Sequence, residues 1–164
     1  MKRNAIQLAF PAEYRFLAIL NQAIVVVTEM LRDEGTINEA EVLAGDVYLA
    51  AHEVCTNVID HAYAPEEAEA IRVEIMVDSA DKQLQVIVQD NGRSFDPQTL
   101  GWPPAESWQM YENCQGIYYQ LGTVPEPSIE QERGRGLYLL TQLLEEVIYR
   151  PGRVHNCWQL RKKF

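Results

Sequence analysis

Glu53, Asn57 and His61 recur at intervals of four in "EVCTNVIDHAY" (residues 53–63), inside an otherwise apolar run. Residues four apart share one face of a helix, so these side chains form a single polar line. Asp46 and Asp60 fall on the same strip, while Leu43, Val47, Ala50, Val54, Val58 and Ala62 make an apolar stripe that Tyr48, Ala51, Cys55 and Ile59 widen. A helix apolar on most sides is largely buried, and a buried carboxylate beside an amide needs partners. The strip therefore faces either solvent at the domain rim or a cavity that a polar ligand fills. The helix alone leaves both open.

A second acid narrows the choice. In "QLQVIVQD" (83–90), Leu84, Val86 and Val88 share one face of a strand, and the two-residue period puts Asp90 on that face. Asp-Asn-Gly is also good turn chemistry, so Asp90 can begin a turn and still look into a cleft. Gly92 then lets backbone approach a ligand closely. Further on, Gly134 and Gly136 in "ERGRGLYLL" precede a helix, whose bare N–H groups make a natural phosphate site. Two glycines before a helix are weak evidence alone; the ordered combination is much stronger.

The elements that must position these residues are legible from hydrophobic period. "AIQLAF" (5–10) reads as a short strand, after which Pro11 opens a helix carrying Leu17, Leu20, Ile24, Val27 and Leu31. Asn38 with Glu41 reads as a capping box for the second helix, which stops before Pro65. "IRVEIMV" and "QLQVIVQ" form a hairpin, and "EVIYR" and "CWQLRKK" form another about Pro151-Gly152. Between them lies an irregular segment, 91–133, with room for a short helix around 105–119, and then a third helix from "GRG" through "LYLLTQLLEE". This order predicts one α+β domain over 1–164, a two-layer sandwich whose mixed or antiparallel sheet is covered by helices on one face.

Composition bounds the function. The 164 residues carry a net charge of −10, which argues against a nucleic-acid surface, since phosphate neutralisation needs clustered Lys and Arg. Cys55, Cys114 and Cys157 are scattered and suggest neither a disulfide framework nor a zinc site. The longest apolar run, "AIVVV", is far below the ~20 residues of a membrane span. After "MKRN", Pro11, Glu13 and Arg15 interrupt any signal-peptide pattern, so the expected location is the cytoplasm.

Together the motifs resemble the GHKL superfamily of ATP-binding domains, and within it the anti-sigma-factor serine/threonine kinases of bacterial partner-switching systems. "EVCTNVIDHAY" is similar to the family's N box, "DNGRSFDP" (90–97) to its first glycine box and "GRGLYLL" (134–140) to its second. The resemblance implies a Bergerat-type (histidine-kinase-like ATPase) fold that uses ATP and Mg²⁺. On that basis Glu53 is the general base, Asn57 ligates Mg²⁺, Asp90 accepts the adenine amino group and Gly92 lets the base lie against backbone. Gly134, Arg135 and Gly136 belong with the phosphates, His61 stands beside them or fixes the helix end, and about 97–133 forms an ATP lid. The implied partners are proteins: a phosphorylated anti-sigma-factor antagonist and a sequestered sigma factor or similar regulator. Alternatives are an ATP/ADP-binding switch that transfers no phosphate and a stand-alone histidine-kinase-type ATPase domain. Small family members often form dimers, so the resemblance also implies a homodimer as one state.

The chain departs from the pattern in places. Ser94 replaces a glycine common in the first glycine box, Asp60 stands where relatives often have a basic residue, and Asn156-Cys157 stands where Gly-Thr is common, which removes a hydroxyl contact to adenine. Arg133 and Arg135 flank the second glycine box, either one available to phosphate or to solvent. Trp102, Trp108, Tyr111, Tyr118 and Tyr119 read as a satellite core of the lid or as a partner-docking surface.

Overall fold

The computed structural model describes residues 4–63, 69–99, 101–131 and 134–164. Among these, seven strands make one sheet: β1 (Asn4–Pro11), β2 (Ala70–Asp78), β3 (Gln83–Asp90), β4 (Trp108–Asn113), β5 (Gly116–Leu121), β6 (Glu146–Arg150) and β7 (Asn156–Lys163). Their spatial order is β1-β2-β3-β7-β6-β5-β4, and every neighbouring pair is antiparallel. Three helices, α1 (Leu17–Asp33), α2 (Ala40–His61) and α3 (Arg135–Leu143), complete the α+β architecture. α2 packs across β3 and β7, α3 touches α2 and β6, and α1 lies against α2.

Alternation along the strands explains why only one sheet face is covered. Ile71, Val73 and Ile75 of β2, Leu84, Val86 and Val88 of β3, Val147 and Tyr149 of β6, and Trp158 and Leu160 of β7 are buried. The intervening positions include Gln85, Gln89, Gln159 and Arg161, which remain partly exposed on the opposite face. α2 meets the buried face with Leu43, Val47, Ala50, Ala51, Val54, Cys55 and Val58. Residues 14–33 are apolar and long enough by composition to cross a membrane. In this fold one face of α1 joins the core, burying Leu17, Leu20, Ile24, Val27 and Leu31, while Ile19, Val26 and Met30 stay exposed.

Several local expectations are corrected. Pro11 ends β1, where an absent N–H is tolerated, and α1 begins only after a 3₁₀ turn at Tyr14–Phe16. The capping box does not form: Glu39 is the N-cap of α2 and makes no side-chain cap bond. α3 stops at Leu143, because Leu144 is already extended and leads into β6. Pro65, expected to end α2, lies outside the described residues, and α2 closes at His61.

The largest correction concerns 105–119. Helix is confined to a 3₁₀ turn at Ala105–Ser107, and the rest forms the β4–β5 hairpin, paired from Trp108 with Leu121 to Asn113 with Gly116. Gly116 takes φ +106, a turn conformation that favours glycine. The segment marked as the lid thus contributes two strands to the sheet edge. Residues 91–99, 101–104 and 122–131 carry no helix or strand beyond turns and bends.

Candidate functional site

α2 is the spine of the site. Glu53 and Asn57 are half-buried along it and His61 is exposed at its end. Among the described residues, the side chains of Glu53 and Asn57 make no hydrogen bond or ion pair. The other acids of the strip are engaged elsewhere: Asp46 pairs with Lys162 at 3.1 Å, and Asp60 accepts from the Tyr14 hydroxyl. The polar strip therefore divides into members with protein partners and a central pair without them.

Both glycine segments dock on α2. A Cβ on Gly136 would lie 2.5 Å from Glu53 Oε2, so only glycine lets the first turn of α3 approach that carboxylate so closely. A Cβ on Gly92 would lie 2.5 Å from the Ala62 carbonyl oxygen, at the far end of α2. The Arg93 N–H donates to the same carbonyl at 2.6 Å, satisfying one of the orphan acceptors of a helix C-terminus. Nine residues separate these two contacts, roughly 13 Å of helix. Gly134 is the N-cap of α3 at φ +81, and it packs against Trp102 from the irregular segment. The N-terminus of α3 thus presents its backbone N–H groups beside Glu53.

Asp90 closes β3 with its side chain on the buried face and is 3% exposed. Its Oδ1 accepts from the Gly92 N–H at 2.9 Å and from Asn156 Nδ2 at 2.9 Å. Burial pushes the Asp90 carboxyl above its ordinary range, and these two donors and the nearby His155 pull it back in part. Burial first, then the Asp90 charge, push the thiol of Cys55 on α2 up to about 12.

The first glycine box is fixed to the sheet by its tail. Phe95 stacks on Tyr149 with ring centroids 4.1 Å apart and on Trp158 at 5.5 Å, with Trp108 edge-on at 6.1 Å. The Phe95 N–H donates to the Tyr149 hydroxyl at 3.2 Å, and Asp96 accepts from the Gln98 N–H at 2.9 Å in a local turn. Burial pushes the Tyr149 phenol up to about 12, so it remains a neutral donor.

The sequence-marked residues separate into two ends. Glu53, with Asn57 one turn further along α2, meets Gly136 at the start of α3, where Gly134 is the N-cap, and Asp90 and Gly92 lie where β3 ends. His61 offers its backbone oxygen toward Arg93 Nη2 at 3.5 Å. The Arg135 guanidinium is committed to backbone carbonyls, those of Gln131 at 2.5 Å, Ile129 at 2.9 Å and Ser128 at 3.2 Å. Arg133 lies outside the described residues. The aromatic cluster also splits: Trp108 and Tyr119 are buried in the core, whereas Tyr111 stacks on Tyr118 at the outer hairpin.

Asn156 enters the site only as a departure from a pattern when the sequence is read, yet it is 2% exposed and bonded directly to Asp90. Cys157 points to the other sheet face, beside Gln89 and Gln159. The signal for Asn156 lies in β7 itself, since Trp158 and Leu160 mark the buried face and the two-residue period extends it to 156. A hydroxyl does reach this region: Ser94 Oγ donates to Asn156 Oδ1 at 2.5 Å.

Comparison with known proteins supplies the context. A family model described as the histidine kinase-like ATPase domain matches residues 16–162. The serine-protein kinase RsbW of Bacillus subtilis (strain 168) is 31% identical over 149 residues, which cover 90% of this chain and 79% of that kinase. RsbW of Bacillus pumilus (strain SAFR-032) is 28% identical over 144 residues, covering 88% and 76%. A solved structure of the RsbU and RsbW domains of Rv1364c from Mycobacterium tuberculosis shares the fold at a TM-score of 0.58 and 14% identity. That superposition covers 98% of this chain and 32% of the solved one.

Proposed function

This chain belongs to the histidine kinase-like ATPase domain family, and on that premise we propose that it is an ATP-dependent protein serine/threonine kinase that also acts as an anti-sigma factor. Its substrate is a serine or threonine hydroxyl on an anti-sigma-factor antagonist, and its second partner is a sigma factor or a similar regulator, both met in the cytoplasm. The observation that carries the reading is the Glu53 carboxylate, without a partner among the described residues, against the glycine-opened N-terminus of α3, with the Asn57 amide one turn further along α2. The serine-kinase relatives align over most of the chain and support the same reading.

Each residue then has a task. Asp90 accepts a hydrogen bond from the adenine amino group, and Gly92 lets the base lie on backbone. The N-terminus of α3, with Gly134 and Gly136, donates N–H groups to phosphate oxygens. Glu53 takes the proton of the attacking hydroxyl as its oxygen bonds the γ-phosphorus and the bond to ADP breaks. Asn57 offers an amide oxygen to Mg²⁺, which neutralises phosphate charge when bound. Among the described residues no cluster of three His, Cys, Asp or Glu offers a metal cage. A nucleotide-bound Mg²⁺ fits that donor set, because phosphates and water fill most of its coordination. His61 stands at the rim, and residues 97–104 and 122–133 serve as the lid.

Calorimetric titration of Mg-ATP tests the reading. The wild type binds, and Asp90→Asn weakens binding by ~1.5–3 kcal/mol, the range of a hydrogen bond to a charged acceptor. Wild-type protein that takes up no heat of ATP binding would overturn the assignment.

A further inference from the structure

We propose that Asn156 is the positioning residue that aims the Asp90 carboxylate at the exocyclic amino group of a purine, so that this chain selects adenine through an Asp–Asn pair. The inference rests on the adenine role given to Asp90 above and deepens it. Asp90 Oδ1 is held by two donors, the Asn156 amide and the Gly92 N–H. Among the described residues Oδ2 accepts no hydrogen bond, and it is not among the buried orphaned atoms. The terminal torsion of an aspartate is soft, so an unheld carboxylate would turn freely between its two oxygens. With Oδ1 pinned, Oδ2 alone is left to accept from a ligand.

The amide is itself aimed. Asn156 Nδ2 also donates to the Gly92 carbonyl at 3.0 Å, and that carbonyl and the Asp90 carboxylate are obligate acceptors. Its Oδ1 faces the Gly152 N–H at 3.3 Å, an obligate donor, with the Ser94 hydroxyl at 2.5 Å and the Tyr149 hydroxyl at 3.4 Å. Only one orientation of the amide satisfies all five groups. The register places Asn156 directly opposite Asp90, so β7 presents the amide at the last residue of β3. A single side chain thereby clamps the carboxylate and the turn that follows it.

The readout must separate aiming from support. ATP carries a 6-amino donor, whereas ITP carries a 6-keto acceptor in its place and cannot donate to Asp90. The titratable groups that interact electrostatically with Asp90 are Cys55 of α2, Tyr63 beyond it, Tyr149 of β6, His155 just before β7, and Cys157 from the other face of β7. All are retained in an Asn156 variant, so their effects cancel in the comparison. The Asn156 bond pulls the Asp90 carboxyl down. Without that bond the carboxyl takes up its proton at a higher pH, and ATP affinity is lost earlier as pH falls.

The experiment is titration of Mg-ATP and Mg-ITP into the full chain, wild type and Asn156→Ala, across pH 5 to 8, with circular dichroism to verify the fold. The wild type prefers ATP by about ten-fold or more, as expected for one hydrogen bond to a charged group. In Asn156→Ala the preference collapses, ITP affinity stays unchanged, and the acid limb of ATP binding moves to higher pH. Where the alanine variant does not fold, Asn156→Ser is measured in its place, since its shorter side chain also breaks the contact with Asp90. Equal weakening of both nucleotides with an unmoved pH profile would show support of the turn only and overturn the inference. A wild type that binds ATP and ITP alike would instead remove the adenine role of Asp90, and the inference with it.

Discussion

Around Asp90, side chains and backbone are already hydrogen-bonded to one another; the side chains of Glu53 and Asn57 lie half-buried without partners among the described residues. The first end of the site is built by tertiary structure: β3 and β7 set the register, Phe95 stacks on Tyr149 and Trp158, and Arg93 ties the turn to the end of α2. The second end is built mostly by one helix and two glycines whose missing side chains let Glu53 and Trp102 come close to the start of α3. On the proposed reading, a prebuilt base pocket at Asp90 costs little ordering when the ligand arrives. A phosphate end at Glu53 would leave its strongest interactions to be made with the reacting groups, where they lower the barrier. The two ends should therefore answer mutation differently, in binding at one and in rate at the other.

The sharpest break in that contrast is Glu53→Gln. The side chain keeps its size and loses its basicity, so Mg-ATP still binds while phosphorylation of the antagonist falls by about a hundred- to ten-thousand-fold. A phosphate-transfer assay beside calorimetry checks both halves. An unchanged rate would remove Glu53 as the base, and loss of ATP binding would move it into the nucleotide pocket.

The two glycines give a matched pair. Alanine at Gly92 meets the backbone carbonyl and Cβ of Ala62, which cannot turn aside, so Gly92→Ala lowers unfolding stability by about 1–3 kcal/mol and weakens ATP binding as well. Alanine at Gly136 meets the Oε2 of Glu53, the far end of a flexible side chain, which can swing away. Gly136→Ala therefore leaves denaturant midpoints near wild type or above, since alanine favours helix by about 1 kcal/mol over glycine, and lowers phosphoryl transfer by displacing the base. Equal loss of stability in both variants would mean that the α2–α3 contact is as rigid as the β3 turn.

What was legible in the sequence follows the same division. The polar line on α2 and the inward Asp90 depend on periods of 3.6 and 2, which local sequence carries in full, and both glycine boxes are local strings. The β4–β5 hairpin did not announce itself because β4 is an edge strand, exposed at every position after Trp108, and so lacks the alternation that marks a half-buried strand. Its aromatic residues fit a helix or a strand equally well until Leu121 and Trp108 are seen paired. Asn156 escaped for a different reason. Its partner is 66 positions away, and only the register of β7 on β3 brings the amide to the carboxylate. Asn38 shows the converse, a good local capping pattern that the tertiary structure does not use.

The smallest expected effect concerns Arg135, where the motif and the geometry point different ways. As a neighbour of the second glycine box it is a natural phosphate ligand, yet its guanidinium lies on the carbonyls of Ser128, Ile129 and Gln131. These bonds tie the chain ahead of α3 to the first helical residue, in an exposed setting where such contacts contribute little. If that tether is its task, Arg135→Gln weakens Mg-ATP binding by less than about 0.5 kcal/mol, the usual range for surface substitutions. It should instead quicken proteolysis of the segment before Gly134, where the tether is lost. A loss of affinity as large as that of Asp90→Asn would mean that the guanidinium leaves the carbonyls for the phosphates when nucleotide binds. The phosphate end would then be assembled by ligand-driven rearrangement, and its contrast with the prebuilt base end would be deeper than the unbound geometry alone implies.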